Sequence, residues 1–167
     1  MTALHDGTLM TVDQHTFRAL LGRFASGVTV ITIVDANGDD RGMTVSAFCS
    51  VSLEPPLVLM CIDHAASIYQ PVSAASQFTV NILSEGQEAL ARRFAGPHPD
   101  RFDGIGFSRG GNGIAILGDV LGHLQCKVIA KHVSGDHDII VGEVEEAMSD
   151  EGRPLLYYRG GYAQLER

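Results

Sequence analysis

The sequence predicts a mainly β (α+β) protein, an antiparallel barrel with short flanking helices. Two features predict this class. β-branched or alternating segments recur along the chain between turn signals, and helical periodicity is confined to short segments without regular β-α-β alternation. With 167 residues, 45% of them hydrophobic, the chain is long enough to bury one core. We therefore predict one domain over residues 13–167, preceded by a flexible tail over residues 1–12.

The first predicted helix and the first hairpin follow this tail. Asp13 is a suitable N-cap, and apolar residues then recur at helical spacing until Gly27, which ends the predicted helix. These apolar residues are Phe17, Leu20, Leu21 and Phe24. β-branched residues lie on both sides of Asn37-Gly38, a turn typical of hairpins, so we expect two antiparallel strands there.

The middle of the chain alternates strands with short helices. Residues 57–62 form a continuous apolar run, which predicts a strand buried on both faces. Pro71 limits the helix near it to a short one, and residues 77–83 predict another strand. Ser84 and Gln87 then form a capping box for a second main helix, which stops at Gly96-Pro97.

The last third of the chain combines a long loop with further strands. Residues 97–113 are rich in Gly, Pro, Asp and Arg, and a loop of this length is typical of functional or mobile segments. Strand character returns over residues 117–133, 137–148 and 155–165, with Gly135-Asp136 as the turn between the first two.

Composition argues against several function classes. The formal net charge of −8, without a basic run, opposes a nucleic-acid partner. Three cysteines, an odd number within apolar or alternating stretches, indicate buried, reduced thiols. No segment approaches the ~18 apolar residues of a membrane span and no signal peptide is evident, so we expect a cytoplasmic protein without a membrane partner.

Two nucleotide or metal signatures fail on their context. Gly104-Ile105-Gly106 lacks the third glycine and the preceding strand of a dinucleotide-binding fingerprint. Cys61-x-x-His64 has no second close ligand pair, so no metal site is expected.

Several polar positions each fit two interpretations. Thr44 and Ser46 suit a phosphate or the polar edge of a flat ring, or an ordinary strand with exposed hydroxyls. Arg92 and Arg93 suit the helix dipole or a phosphate.

Two further positions remain open in the same way. His137, in the Asp-His-Asp segment, suits a site where hydride and proton arrive together, or a plain turn. Asn81, in an apolar strand, needs backbone or ligand partners.

Six segments carry a further signal through their order along residues 17–165. They are FRALLGRFASGVTVIT, GMTVSAFCSVSLEPPLVL, FTVNIL, ARRFAG, GDHDIIVGEV and LLYYRGGYAQL. Taken together, they resemble the flavin reductase-like family, the short reductase components of two-component flavin-dependent monooxygenases. Each segment alone is weak, whereas the ordered set is specific.

The resemblance implies a split β-barrel of the FMN-binding flavin reductase type, usually a homodimer, with flavin in a groove near the subunit interface. Its implied catalytic residue is His137, where the nicotinamide approaches the flavin. The candidate cofactor-binding residues are Thr44, Val45, Ser46, Ala47, Cys61, Ile62, Asp63, Ser67, Asn81, Arg93, Phe94 and Tyr162.

The activity implied by the resemblance is NAD(P)H-dependent flavin reduction. Hydride passes from NADH or NADPH to FMN or FAD, and the reduced flavin reaches a separate monooxygenase by diffusion, while the protein contributes orientation and electrostatics. The alternative is a non-catalytic flavin-binding or flavin-carrier module of the same fold.

Overall fold

Strands dominate the chain in the computed structural model, which describes residues 12–166. The predicted flexible tail, apart from its last residue, therefore lies outside the described residues. The helices are α1 (Gln14–Leu21), α2 (Tyr69–Ala74) and α3 (Glu88–Ala95), the last preceded by a 3₁₀ turn (Glu85–Gln87). The strands are β1 (Ser26–Gly27), β2 (Thr29–Val34), β3 (Asp40–Val45), β4 (Phe48–Leu53), β5 (Pro56–Asp63), β6 (Gln77–Ile82), β7 (Phe107–Arg109), β8 (Ala115–Leu117), β9 (Gly122–Ser134), β10 (His137–Ser149), β11 (Leu155–Tyr158) and β12 (Gly161–Gln164).

Seven strands form the main sheet, in the order β3-β2-β6-β9-β10-β5-β4. A three-stranded sheet, β1-β11-β12, and the β7-β8 pair complete the described part of the chain. Every strand pairing is antiparallel, which confirms the predicted mainly β, antiparallel class. β3 and β4 lie at opposite ends of this order, yet only Ser46 and Ala47 separate them in sequence, so the sheet curls to bring these strand ends together.

Both predicted hairpin turns are confirmed. β2 and β3 pair from Thr29↔Val45 to Val34↔Asp40 around Gly38, which has φ 86°. β9 and β10 pair on either side of Gly135, which has φ 67°. Positive φ carries little steric cost for glycine, which explains how local sequence specifies these two turns.

The predicted end of the first helix is wrong. α1 begins after Asp13, whose carboxylate accepts the Thr16 N–H at 2.9 Å, but it ends at Leu21 and not at Gly27. Gly22 is its C-cap, and the Gly22 carbonyl accepts the Arg159 N–H at 2.8 Å. The following residues enter β1 and pair with β11, so contacts distant in sequence determine where this helix ends.

The interpretation of residues 57–62 as a strand buried on both faces is also wrong. Along β5, Val58, Met60 and Ile62 are buried, whereas Leu59 and Cys61 on the opposite face are only half-buried. The core covers one face of this antiparallel sheet, and the apolar residues of the other face border a surface groove.

Three smaller expectations need correction. The predicted loop over residues 97–113 contains β7, and the predicted strand over residues 155–165 is a hairpin that turns at Arg159 and Gly160. All three thiols are free, as predicted, but Cys49 is exposed because it lies on the outer face of β4.

Two buried clusters hold these elements in place. The first lies beneath the main sheet and includes Ile31, Met60, Ile62, Phe78 and Ile140. The second lies between α3, β8 and β11 and includes Val28, Leu83, Phe94, Leu117 and Leu155. Within residues 12–166, no helix has the length and apolar character needed to cross a membrane.

Candidate functional site

The ends of β5 and β10 bring several predicted site residues together. The register of this strand pair places His137 opposite Asp63 and Ile139 opposite Cys61. Successive side chains of a strand point to opposite faces, so His137, Asp63 and Cys61 share the face that points away from the core. The His137 Nδ1 atom lies 2.7 Å from the Asp136 carboxylate, and this hydrogen bond lowers the pKa of Asp136.

The connection between β3 and β4 lies beside this strand end. The Cys61 N–H donates to the Ala47 carbonyl at 3.0 Å, and Ser46 and Ala47 are exposed. A groove of about 720 Å³ opens there. Its lining includes Phe17, Leu21, Phe24, Ser46, Ala47, Cys49, Leu59, Cys61 and Tyr157. The groove therefore combines apolar walls with exposed backbone and hydroxyl groups, which suits a flat aromatic ligand.

A second cavity, of about 590 Å³, lies at the first residues of β3 and is lined by the predicted residue Ser67. Arg101, which the sequence argument did not single out, also lines it. The Arg101 guanidinium donates to the Gly42 carbonyl at 2.6 Å, to the Gly96 carbonyl at 2.7 Å and to the Ser67 hydroxyl at 3.1 Å. Its place within the Asp-Arg-Phe segment of the long predicted loop was the one available signal.

The positive charge of Arg101 is incompletely compensated. None of the ion pairs found between residues 12 and 166 includes this guanidinium, and its buried Nε–H has no acceptor there. Burial lowers the pKa of Arg101, as expected for a cation without a paired carboxylate. Four aspartates line the same cavity. Asp39 and Asp40 pair with Arg41 and Arg109, and neither Asp100 nor Asp103 forms an ion pair with Arg101. An anionic group beside Ser67 would compensate the Arg101 charge.

The resemblance implies that Arg93 lies near the phosphate-bearing end of the flavin or in the wall that supports it, and its contacts fit the second place. Its guanidinium donates to the carbonyls of Arg101 at 2.7 Å, Asp100 at 2.8 Å and Asp103 at 2.6 Å. These bonds use Nε and Nη2 to hold the loop that carries Arg101. Arg93 thus supports the cavity wall, and Arg101 is the arginine that reaches Ser67.

Four other predicted residues are tied into the protein interior. Phe94 and Asn81 are fully buried, and the Asn81 amide bonds the Val30 carbonyl at 3.0 Å and the Leu117 N–H at 2.8 Å. Ile62 and Val45 are also core residues, whose side chains face away from the groove. Their side chains leave no surface for direct contact with a ligand, so any contact of these residues with a flavin would have to use backbone groups.

Two remaining predicted residues lie close to the groove without opening onto it. The Thr44 hydroxyl donates to the Ala91 carbonyl at 2.6 Å, which ties β3 to α3. Tyr162 packs edge-on against Tyr157, a groove-lining residue, at 5.5 Å between ring centroids, and burial raises the pKa of Tyr162. The Arg92 guanidinium lies 4.9 Å above the Tyr162 ring. These contacts hold β3 against α3 and hold the groove-lining residue Tyr157 in place.

The described part of the chain is an antiparallel β fold with a mostly apolar groove and a separate cavity that contains Arg101, an arrangement that suits a small ligand with a flat ring and an anionic group. The chain belongs to the flavin reductase family, because the model of the flavin reductase like domain matches residues 21–166. This confirms the family indicated by the six ordered segments.

Individual relatives match over nearly the whole chain. It is similar to an NADH-dependent flavin reductase from Rhodococcus, with 41% identity over 153 residues that cover 89% of this chain and 85% of that protein. It is also similar to the reductase component of 4-hydroxyphenylacetate 3-monooxygenase from Thermus thermophilus, with 42% identity over 150 residues, 89% of this chain and 95% of that protein. The structure of an NADH:FAD oxidoreductase from Streptomyces globisporus, in complex with NAD and FAD fragments, superposes with a TM-score of 0.87 and 35% identity, covering 92% of this chain and 93% of that one.

Proposed function

We propose that this protein is an NAD(P)H:flavin oxidoreductase, which transfers hydride from NADH or NADPH to FMN or FAD and supplies the reduced flavin to a separate monooxygenase. The observation that carries this proposal is the meeting of His137 and Asp63 beside the exposed Ser46–Ala47 connection, in a chain that belongs to the flavin reductase family. The names of the relatives, an NADH-dependent flavin reductase and a monooxygenase reductase component, support the same activity.

The residues of both cavities fit a flavin mononucleotide. The groove beside Ser46, Ala47 and Cys61 offers backbone groups, a hydroxyl and apolar walls to the flat ring system. Ser67 and Arg101 offer a hydroxyl and a cation to the phosphate end. Flavin and nicotinamide supply the redox chemistry when bound, and the protein orients them and excludes water.

We also propose that residues 13–167 form one domain with the split β-barrel architecture of this family. Supporting this, Ser46 and Ala47 alone connect the two edge strands of the seven-stranded sheet, so the sheet is strongly curled at this point. All three free thiols suit a reducing compartment, and we propose a cytoplasmic location.

A second copy of this chain is the proposed occupant of the apolar surface formed by α1 and the groove. α1 has no buried residue, and Phe17 is 56% exposed, Leu20 63% and Phe24 80%. An apolar surface of this kind is unusual on a monomer. Phe17 and Phe24 line the same groove as Ser46 and Cys61, so a homodimer formed here closes the proposed flavin site.

Replacing Phe24 with Ala is expected to raise the Kd of the homodimer about 100-fold. Each of the two chains loses ~1.5 kcal/mol of apolar burial, which corresponds to about tenfold in Kd per chain. Analytical ultracentrifugation across a concentration series measures this change. Leu53→Ala is the matched control, since Leu53 is 91% exposed but does not line the groove. A monomeric wild-type protein, or equal weakening by both variants, contradicts the proposed interface.

Steady-state oxidation of NADH and of NADPH, measured with FMN, FAD or no flavin, tests the activity itself. We expect turnover that rises and saturates with added flavin, because the flavin is a substrate that exchanges freely. The best pair identifies both cofactor preferences. A protein that binds flavin but oxidises neither nucleotide with any flavin would instead be the carrier module.

A further inference from the structure

Among residues 12–166, Asp138 is the only charged residue that is buried as a whole, with 4% of its surface exposed. It follows His137 on β10, and alternation along the strand directs its carboxylate to the core while His137 faces the opposite side. Apolar residues fill this layer on both sides, with Ile62 across the strand pair and Ile140 two residues further along. A buried carboxylate is costly unless it is well hydrogen-bonded, so its partners identify what it does.

Three side chains surround this carboxylate. The His64 Nε2 atom lies 2.8 Å from one oxygen, and the Tyr69 hydroxyl donates to the other at 2.8 Å. The Ser73 hydroxyl donates to that second oxygen at a longer distance, 3.5 Å. The bond from His64, followed by that from Tyr69, lowers the pKa of Asp138 and keeps the carboxylate ionised.

These partners connect separate segments at one point. His64 follows β5, and its backbone N–H donates to the Asp136 carbonyl at 3.0 Å, so the turn before β10 is held by both backbone and side chain. Tyr69 begins α2, and its ring lies 4.9 Å from the His64 ring. The carboxylate of Asp138 therefore fixes residues 63–69 against residues 136–138.

We propose that Asp138 is a positioning residue for flavin reduction, which holds His137 in place relative to Asp63 and Ser67 through His64 and Tyr69. The proposal rests on the proposed function, because Asp63 and Ser67 are its flavin-side residues and His137 its nicotinamide-side residue. A simple contribution to folding does not require an ionised group in this otherwise apolar layer.

Replacing Asp138 with Asn tests the proposal. The amide has one acceptor oxygen and a donating NH₂ group in place of two acceptor oxygens, so residue 138 can no longer accept from His64 and Tyr69 on separate oxygens. We expect kcat for flavin reduction to fall about tenfold at saturating flavin and NADH, because misplacement of reacting groups lowers the rate of the chemical step. Flavin affinity should change by no more than about threefold. Tyr69→Phe removes one donor to the Asp138 carboxylate and should lower kcat by about threefold. It is the variant to measure if D138N does not fold.

A double-mutant cycle with His137→Ala separates positioning from a merely structural role. If Asp138 acts through His137, then D138N should change kcat by less than about twofold in the H137A background. Asp35→Asn is the control for general destabilisation, because Asp35 accepts bonds from Asn37, Asp39 and Arg41 at a distant turn. A full tenfold loss in both backgrounds, or an equal loss from D35N, overturns this inference alone. If the wild-type protein shows no flavin-dependent oxidation of NADH, the proposed function itself is overturned.

Discussion

Replacing Arg101 with Ala is expected to weaken FMN binding about 100-fold, because a charge-assisted hydrogen bond to a phosphate contributes up to ~3 kcal/mol. The guanidinium reaches Ser67 from a loop that is itself held by Arg93, and no carboxylate in the described chain neutralises it. An incoming phosphate therefore meets a cation that is already in place. Titration of FMN into the apoprotein, followed by flavin fluorescence, measures the change.

Riboflavin, which lacks the phosphate, is the internal control for this prediction. Arg101 also bonds the carbonyls of Gly42 and Gly96, so its loss could loosen the cavity and weaken any flavin. If Arg101 binds the phosphate, R101A should change riboflavin affinity by only about threefold. Arg101→Lys should recover part of the FMN affinity, since it keeps the charge but not the planar fork. Equal losses for FMN and riboflavin would assign Arg101 to loop structure.

Arg153→Ala serves as the matched control variant. Arg153 carries the same guanidinium, but its side chain is 56% exposed and its partner is Glu85, at 3.8 Å. Because neither Arg153 nor Glu85 lines the Arg101 cavity, R153A should leave FMN affinity within about twofold of wild type.

Local signals in the sequence predicted the parts of the fold that local geometry determines. The hairpins at Gly38 and Gly135 need glycine at positive φ, and the helix start at Asp13 needs an N-cap, so each is visible in a few residues. The end of α1 at Leu21 depends on Arg159, distant in sequence. A sequence pattern does not contain that contact, and the helix was therefore predicted too long.

The site was predictable to the extent that it follows from strand register. His137 and Asp63 meet because both lie at the paired ends of β5 and β10, and both were named from the sequence. Arg93 and Arg101 show the limit of that reasoning. The sequence left open whether Arg93 lies at the helix end, near a phosphate or in the supporting wall, and the fold directs it to loop carbonyls and brings Arg101 to Ser67.

Asp138 shows a second limit of sequence reasoning. In sequence it is only the second aspartate of a turn, a position that needs no partner. The alternation of β10 buries it, and three side chains from the β5–α2 region converge on it. The register with β5 decides which of the two neighbours, His137 or Asp138, lies on the outer face of the sheet and which faces the core, and that register is a tertiary property.

Replacing His137 with Ala is expected to slow flavin reduction about 100-fold while flavin affinity stays within about threefold of wild type. His137 lies on the outer face of β10, opposite Asp63, where it can contact the nicotinamide without supporting the flavin. Stopped-flow reduction of bound flavin by NADH measures the rate, and an independent flavin titration measures the affinity. His132→Ala is the matched control, because His132 lies on the neighbouring strand and is exposed.

The pattern of losses distinguishes two roles for His137. If its imidazole orients the nicotinamide by a hydrogen bond, His137→Asn should recover about tenfold of the lost rate, since the amide keeps a donor. If the imidazole transfers a proton, Asn and Ala should be equally slow, because an amide cannot do so. A loss of flavin affinity with an unchanged reduction rate would move His137 to the flavin side of the site, and the nicotinamide would then approach from the groove lined by Phe17 and Phe24.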